Sequence, residues 1–318
     1  MSTPTKQLAL VLGAKLGPLQ LKEIDVPKPA AKELLVRIEA AGLNPGDWKV
    51  WKLGILVEKY PVILGFDAAG VVVEVGSDVN DYAVGDRVMF QGWVDFATFD
   101  VHGTYQQYCR VIPECRAKIP ANLSFEQAAT IPSGLSAAAL PLYSRGEGAP
   151  SAKLLGPWEE GGRGHYAGKP FFLLGGASSI GQYVIQLARL SGFSPIITSA
   201  SLRNTELLKS LGATHVLDRK LSSEDLTKEA LKIAGGPIDV VFDAISAPET
   251  LTAGFEATSP TGDFIIVSNR PIPGASEHPD KKVHFARGLF NAPFNAAASL
   301  SLLAKLPELL ESGDIKVK

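Results

Sequence analysis

The stretch FFLLGGASSIGQYVIQLARLSGF, residues 171–193, constrains the fold of this chain most strongly. Its first four residues, Phe171–Leu174, form an apolar run typical of a parallel strand that is covered on both faces. Beyond Gly181, apolar residues recur at helical spacing as far as Leu190. A turn of glycine, alanine and serine joins the two segments. The stretch therefore predicts a strand–turn–helix unit of a parallel sheet.

The same alternation continues downstream. We predict further strands and helices in these segments: strands within 194–201, 215–219, 239–246 and 262–269, and helices over 180–191, 204–211, 223–234 and 247–257. Such alternation is typical of a doubly wound α/β domain with a parallel sheet. Residues 1–120 instead hold short valine-rich runs, such as AAGVVVEVG at 68–76, and these predict mostly β structure.

Two connecting segments differ from this pattern. Residues 124–140 predict a helix with Ser124 as its N-cap. Residues 144–170 are rich in glycine and proline, and a loop of this length is unusual inside a compact domain. The two interpretations of this loop are a functional lid and a mobile connector.

Composition excludes several classes of partner. The chain has 318 residues, 46% of them apolar, and a net charge of −2, which gives no electrostatic footprint for nucleic acid or for an anionic membrane. The first ten residues lack the features of a signal peptide, and no apolar run is long enough to span a bilayer. We therefore expect a cytoplasmic protein in which Cys109 and Cys115 are reduced thiols.

The turn after the first strand predicts a nucleotide site. Its six residues, which we expect to contact the pyrophosphate, are Gly176, Ala177, Ser178, Ser179, Ile180 and Gly181. They resemble the dinucleotide fingerprint with serine in place of the middle glycine. The helix that follows offers free N–H groups and a positive dipole end to a pyrophosphate. The alternative is a strand–helix turn that binds nothing.

The end of the next strand favours NADPH over NADH. An NAD site normally places a carboxylate there, whereas this chain has Ser201, Arg203 and Asn204, with no acidic residue before Glu206. Hydroxyls and a guanidinium suit a ribose 2′-phosphate. Arg219 is predicted to reach the adenine or the same phosphate. The alternative is that both arginines are merely solvated.

Two motifs carry a family resemblance. Residues 64–90, LGFDAAGVVVEVGSDVNDYAVGDRVMF, resemble the G-H-E-x-x-G…V-G-D-R-V signature of the medium-chain dehydrogenase/reductase superfamily. Residues 131–140 resemble its P-x-x-G-x-T-A helix, with Ser136 where threonine commonly touches the nicotinamide. The resemblance implies a GroES-like β-rich catalytic domain at 1–125, a Rossmann domain at 126–294, and an active site between them. Ile245 completes the predicted cofactor-binding set.

The departures from that pattern concern zinc. Asn44 stands where the zinc enzymes of this superfamily have a ligating cysteine, and Phe66 stands where they have a histidine. The four closely spaced cysteines of the structural zinc lobe are also missing. A phenyl ring cannot ligate and an amide is a poor zinc ligand, so we predict that no metal is bound.

The stretch NPGDWK, 44–49, resembles the quinone and enoyl reductase branch, most of all the trans-acting enoyl reductases of fungal polyketide pathways. The resemblance implies that Lys49 lies beside the nicotinamide and the substrate carbonyl. We therefore predict reduction of an activated C=C bond by NADPH, with Lys49 and Asn44 in catalytic roles. The alternatives are that Lys49 contacts only phosphate or ribose, and that Asn44 only fixes its loop.

The predicted substrate is a small molecule or an acyl group on a carrier, with a polyketide synthase as a candidate partner and a monomer or homodimer as the assembly. The alternative functions are a quinone oxidoreductase and a non-catalytic NADPH-binding protein.

Trp48 and Trp51 are either a substrate wall or core residues, and His102 is a weaker catalytic candidate. In the resembling family the chain returns to the catalytic domain, so residues 295–318 are expected to join it through a helix and the start of a strand.

Overall fold

A computed structural model describes residues 3–92 and 102–317. The strands are β1 Lys6–Leu12, β2 Leu19–Asp25, β3 Leu34–Gly42, β4 Val62–Ile63, β5 Asp67–Val75, β6 Arg87–Gln91, β7 Tyr108–Val111, β8 Arg116–Lys118, β9 Phe171–Leu174, β10 Ile196–Ala200, β11 His215–Asp218, β12 Ile238–Asp243, β13 Thr258–Ile266 and β14 Lys282–Phe285. The α-helices are α1 Pro45–Leu53, α2 Phe125–Ala129, α3 Pro132–Tyr143, α4 Ser179–Leu190, α5 Thr205–Leu211, α6 Ser223–Ala234, α7 Pro248–Ala257 and α8 Ala296–Glu311.

The second half of the chain forms a six-stranded parallel sheet in the order β11-β10-β9-β12-β13-β14. All four residues of β9, at the centre, have no exposed surface because helices cover both faces of the sheet. The predicted doubly wound α/β fold is confirmed. The nucleotide turn follows β9 directly and therefore lies at the carboxyl edge of this sheet, where open α/β sheets bind ligands.

The first half is antiparallel. Strands β7-β3-β5-β6-β8 form a five-stranded sheet, and β2-β1-β4 form a second sheet of three strands. Alternate residues of the larger sheet point into one core, which includes Leu34, Val36, Val72, Val88 and Phe90. The β-rich first half is therefore as predicted, while the boundary at residues 125 and 126 stays a prediction.

The single helix predicted over 124–140 is two helices. Ser124 caps α2 as expected, since its hydroxyl accepts a hydrogen bond from Gln127 N at 3.2 Å. The chain then breaks at Thr130 and Ile131, and α3 begins at Pro132. Ile131 keeps helical φ and ψ, but Pro132 has no N–H to continue the hydrogen bonding of α2 and is well placed at the first helical position, so it ends one helix and starts the next.

Residues 144–170 pack against the amino edge of the parallel sheet. Gly164 N donates to Leu190 O at 2.9 Å and Tyr166 N donates to Ser191 O at 2.8 Å, so the segment meets the end of α4 farthest from the nucleotide turn. The ring of Tyr166 stacks on Phe193 with centroids 4.8 Å apart. The segment therefore lies at the end of α4 opposite the nucleotide turn, and the choice between a functional lid and a mobile connector stays untested.

The last described residues do not begin a strand. After α8 the chain turns at Gly313, whose φ of 75° lies in the left-handed region, and it binds the side of α4. The side-chain amide of Gln186 donates to Lys316 O at 3.2 Å and its oxygen accepts from Lys316 N at 2.7 Å. These bonds and the burial of Ile315 hold the segment against α4, and none of residues 312–317 is in a strand, so the strand start predicted there is wrong.

Within residues 3–92 and 102–317, no helix is both long enough and apolar enough to cross a bilayer.

Candidate nucleotide and substrate site

The nucleotide turn is closed by its serine. Ser178 is the N-cap of α4, and its hydroxyl accepts from Gly181 N at 3.0 Å and lies 2.8 Å from Gly175 O, to which it donates. Gly175 has φ +86°, which favours glycine, and a Cβ on Gly181 would collide with the Gly175 carbonyl oxygen. The serine at the middle position of the motif therefore shapes the turn, and Gly175 is a site residue that the sequence analysis missed.

The first turn of α4 remains available to an anion. Ser179 and Ile180 are its first two residues, and their N–H groups have no acceptor within the helix. Ser179 is exposed and Ala177 is partly exposed, so this end of the helix is open to solvent. The arrangement fits a pyrophosphate held by backbone N–H groups at a helix N-terminus.

Ile245 lies against the same turn. It follows β12, its side chain is 48% exposed, and a Cβ on Gly175 would collide with it. Buried Asp243 fixes this position, because its carboxylate accepts from Ile245 N and Ser246 N, both at 2.9 Å. Burial raises the pKa of Asp243, although these donors oppose the shift. Sequence reasoning placed Ile245 in the site but missed the carboxylate that holds it.

The predicted 2′-phosphate residues lie beside the turn. Ser199 O accepts from Gly176 N at 3.1 Å, which joins the end of β10 to the turn. Ser201 to Asn204 follow at once, and Arg219 N donates to Ala200 O at 2.9 Å. The side chains of Arg203 and Arg219 are exposed and make no ion pair with another described residue. The structure thus brings the backbone of Arg203 and of Arg219 to the carboxyl edge next to the turn.

Asn44 is held by two carboxylates. Its backbone N–H donates to Asp47 Oδ2 at 2.9 Å, and its side-chain Nδ2 donates to Asp67 Oδ2 at 3.0 Å. Ser133 N and Ser133 Oγ donate to Asp67 Oδ1 at 3.0 and 2.7 Å. Burial raises the pKa of Asp67 to about 7, against the effect of these donors, and raises the pKa of Asp47 to about 6. Asn44 is therefore oriented by the buried carboxyl group of Asp67.

These residues do not fit the zinc ion that zinc enzymes of the superfamily bind here. Phe66 has no donor atom, and its ring lies against Gly46 at the start of α1. Both oxygens of Asp67 already accept hydrogen bonds from Ser133 and Asn44. Among the residues that the structure describes, no three His, Cys, Asp or Glu side chains come together as a metal site.

Lys49 and Trp48 are exposed on α1, the helix that Asn44 begins. Trp51 is partly buried and its Nε1 donates to Gly17 O at 2.8 Å, so it belongs to the packing around α1 rather than to a substrate wall. The catalytic assignment of Lys49 and Asn44 stays a prediction.

Ser136 has no exposed surface. Its hydroxyl donates to Gly288 O at 2.7 Å and lies 3.1 Å from Gln91 Nε2. Its predicted contact with the nicotinamide stays a prediction. His102 is also buried, with Nε2 at 3.4 Å from Glu33 Oε1, in the β-rich half of the chain.

Comparison with known proteins agrees with this fold. Residues 30–121 match the alcohol dehydrogenase GroES-like domain and residues 179–291 match the zinc-binding dehydrogenase family. The trans-enoyl reductase himH of Aspergillus japonicus is 30% identical over 100% of this chain and 89% of that protein. The enoyl reductase component lovC of the lovastatin nonaketide synthase of Aspergillus terreus is 35% identical over 76% of this chain and 63% of that protein.

Among solved structures, an alcohol dehydrogenase superfamily protein from Novosphingobium aromaticivorans has a TM-score of 0.78 at 26% identity, covering 97% of this chain and 88% of that chain. A GroES-like β-rich unit joined to a parallel sheet with a nucleotide turn at its carboxyl edge defines a nucleotide-dependent oxidoreductase. The chain belongs to the medium-chain dehydrogenase/reductase superfamily, as its motifs predicted.

Proposed function

We propose that this protein is a zinc-independent reductase that uses NADPH to reduce the C=C bond of an α,β-unsaturated carbonyl compound, with an enoyl thioester as the substrate class. When bound, NADPH would supply a hydride to the β-carbon; the C=C π pair would become the double bond between the α-carbon and the carbonyl carbon, and the C=O π pair would move onto the oxygen as an enolate. A proton from water then adds to the α-carbon, which gives the saturated product and NADP⁺. The enoyl reductase names of two relatives support this class of reaction.

The observation that carries the proposal is the contact of Asn44 with Asp67 at the zinc-ligand position. Where the zinc enzymes have a ligand of a Lewis acid, this chain has an amide that is held by Asp67 and carries hydrogen-bond donors. Reduction of a C=C bond needs only such donors at the oxygen where negative charge develops. In this assignment Asp67 and Ser133 orient the Asn44 amide. Lys49, on the same helix, supplies an ammonium to the developing enolate oxygen.

The cofactor assignment rests on the carboxyl edge of the parallel sheet. The first turn of α4 would hold the pyrophosphate of NADPH, and Ile245 would lie against the bound cofactor beside Gly175. Arg203, with Ser201 and Asn204, would pair with the 2′-phosphate, and Arg219 would lie over the adenine or the same phosphate.

The exposed surface beside Asn44 supports a carrier-bound substrate. Leu43 is 84% exposed and Trp48 is 54% exposed, so an apolar surface extends outward from the proposed carbonyl position. An acyl chain delivered as a thioester would lie along it while its carrier stays in solvent. A polyketide synthase is the partner class that fits, since lovC is named as a component of a nonaketide synthase.

NADPH oxidation with a panel of substrates tests the proposal. We expect turnover of a 2-enoyl pantetheine thioester, and a Lys49→Ala variant should lower kcat by about 100-fold, the effect of removing an oxyanion donor. Lys52→Ala is the matched control, because Lys52 lies on the same helix with its ammonium over the Trp51 ring. Oxidation of NADPH with quinones alone, or with no acceptor in the panel, would contradict the proposal.

A further inference from the structure

Gln91 connects the two halves of the molecule. It is the last residue of β6, and its side chain is only 2% exposed. Its Nε2 lies 2.9 Å from Gly288 O, 3.1 Å from Ser136 Oγ and 3.2 Å from Ser133 Oγ. Its Oε1 accepts from Phe290 N at 3.0 Å. One side chain from the first antiparallel sheet thus bonds both to α3 and to a segment almost 200 residues later in the chain.

The segment 288–290 packs closely against α3. A Cβ on Gly288 would lie 2.6 Å from Ala137 Cα, so its backbone lies directly on α3. Phe290 has no exposed surface. On the other side, Asn295 Nδ2 donates to Leu289 O at 2.9 Å. Since the segment follows β14, which is parallel to β13, it leaves the sheet at the carboxyl edge, the edge that carries the nucleotide turn.

The same contacts lead to Asn44. Asp67 and Gln91 are directly opposite each other in the antiparallel pair β5–β6, so their side chains share one face. Ser133 joins them, because its hydroxyl accepts from Gln91 Nε2 and donates to Asp67 Oδ1. Asp67 in turn accepts from Asn44 Nδ2. A continuous series of hydrogen bonds therefore runs from the backbone of segment 288–290 to the candidate catalytic amide.

We infer that Gln91 is a positioning residue that fixes segment 288–290 to the β-rich half and thereby sets the distance between Asn44 and the nucleotide-binding edge. Its catalytic consequence rests on the proposed function, whereas the attachment itself does not. Loss of the amide leaves the buried Phe290 N–H without its acceptor, and such groups are costly to leave unpaired. Hydride transfer depends on donor and acceptor carbons that are placed within fractions of an ångström, so a loosened segment slows the reaction more than it weakens binding.

Hydrogen exchange of the full chain and steady-state kinetics test this inference with Gln91→Leu. We expect the Phe290 amide to exchange at least about tenfold faster, kcat to fall by about tenfold, and the Kd of NADPH to change less than about threefold. Gln7→Leu is the matched control: Gln7 is also 2% exposed, its Oε1 accepts from Tyr108 N at 2.7 Å and its Nε2 donates to Gln106 Oε1 at 3.0 Å, all within the first half. It should change neither the exchange of Phe290 nor kcat.

Should Gln91→Leu not fold, Gln91→Met keeps the side-chain length without the polar atoms and is measured in its place. Unchanged exchange at Phe290, or equal acceleration in Gln7→Leu, overturns the attachment. Accelerated exchange with unchanged kcat overturns the positioning role. If wild-type protein turns over no enoyl thioester, the proposed function fails while the exchange of Phe290 still decides whether Gln91 fixes the segment.

Discussion

Replacing Asp67 by asparagine is expected to make the stability of this protein less dependent on pH. The carboxylate is 1% exposed, and burial raises its pKa from 3.8 to about 7 even though Ser133 and Asn44 donate to it. The nearby charge of Asp47 raises it further. An asparagine at this position retains the volume and the acceptor for Ser133, and it cannot ionise.

Proton linkage determines whether the stability rises or falls with pH. Because the pKa of Asp67 is higher in the folded chain than in the unfolded chain, the folded chain holds the proton more tightly between these values. Its stability is therefore lost as pH rises from about 4 to about 7. A difference of about three pKa units corresponds to about 4 kcal/mol over the whole window, and more than half of it lies between about pH 5 and about pH 8.

Urea unfolding at about pH 5 and about pH 8 measures this difference for the wild type and for Asp67→Asn. We expect the wild-type free energy of unfolding to fall by about 2–3 kcal/mol more than that of the variant over this interval. Asp218→Asn is the control, since Asp218 lies outside this network and its side chain accepts from Lys220 N at 3.1 Å. Equal pH dependence in the wild type and Asp67→Asn would refute the reasoning.

Three further predictions concern the cofactor, the metal and the turn. Arg203→Ala should weaken NADPH binding by at least about tenfold and leave NADH binding unchanged by calorimetry; loss of both affinities alike would contradict a 2′-phosphate contact. Elemental analysis should find no stoichiometric zinc, and activity should persist in a chelator, because Asn44 and Phe66 replace the ligands; one retained zinc per chain would contradict this. Gly181→Ala should cost about 1–3 kcal/mol of stability by collision with Gly175 and should weaken NADPH binding, whereas Gly13→Ala, where a Cβ meets nothing within 4 Å, should do neither.

Short sequence patterns predicted those strands and helices whose start or end depends on residues nearby in the sequence. The apolar run of β9 and the helical spacing after Gly181 gave the strand–turn–helix unit, and Ser124 marked a helix start. The break at Pro132 was equally local and was missed, because the apolar periodicity continues across it. The resemblance supplied the family, which the comparisons confirm, whereas the nucleotide turn came from the strand–turn–helix pattern and stays a prediction.

The side-chain contacts of the site were not predictable in the same way. Gln91 bonds to Gly288 and Phe290, which lie 197 and 199 residues away, and no periodicity signals such a contact. Asp67 stood in a recognised motif, yet its role depends on Ser133, which only the folded chain brings to it. The strand expected after α8 was inferred from relatives, whereas Gln186 holds Lys316 against α4 instead.

The most direct test of the proposed reaction follows the hydride itself. The wild-type protein is incubated with a 2-enoyl pantetheine thioester and NADPH that carries deuterium at the transferred position of nicotinamide C4, and the product is analysed by mass spectrometry and NMR. We expect a saturated thioester with one deuterium on the β-carbon and a solvent-derived hydrogen on the α-carbon. Recovery of unreduced thioester, or of a saturated product with no deuterium on the β-carbon, would contradict the account.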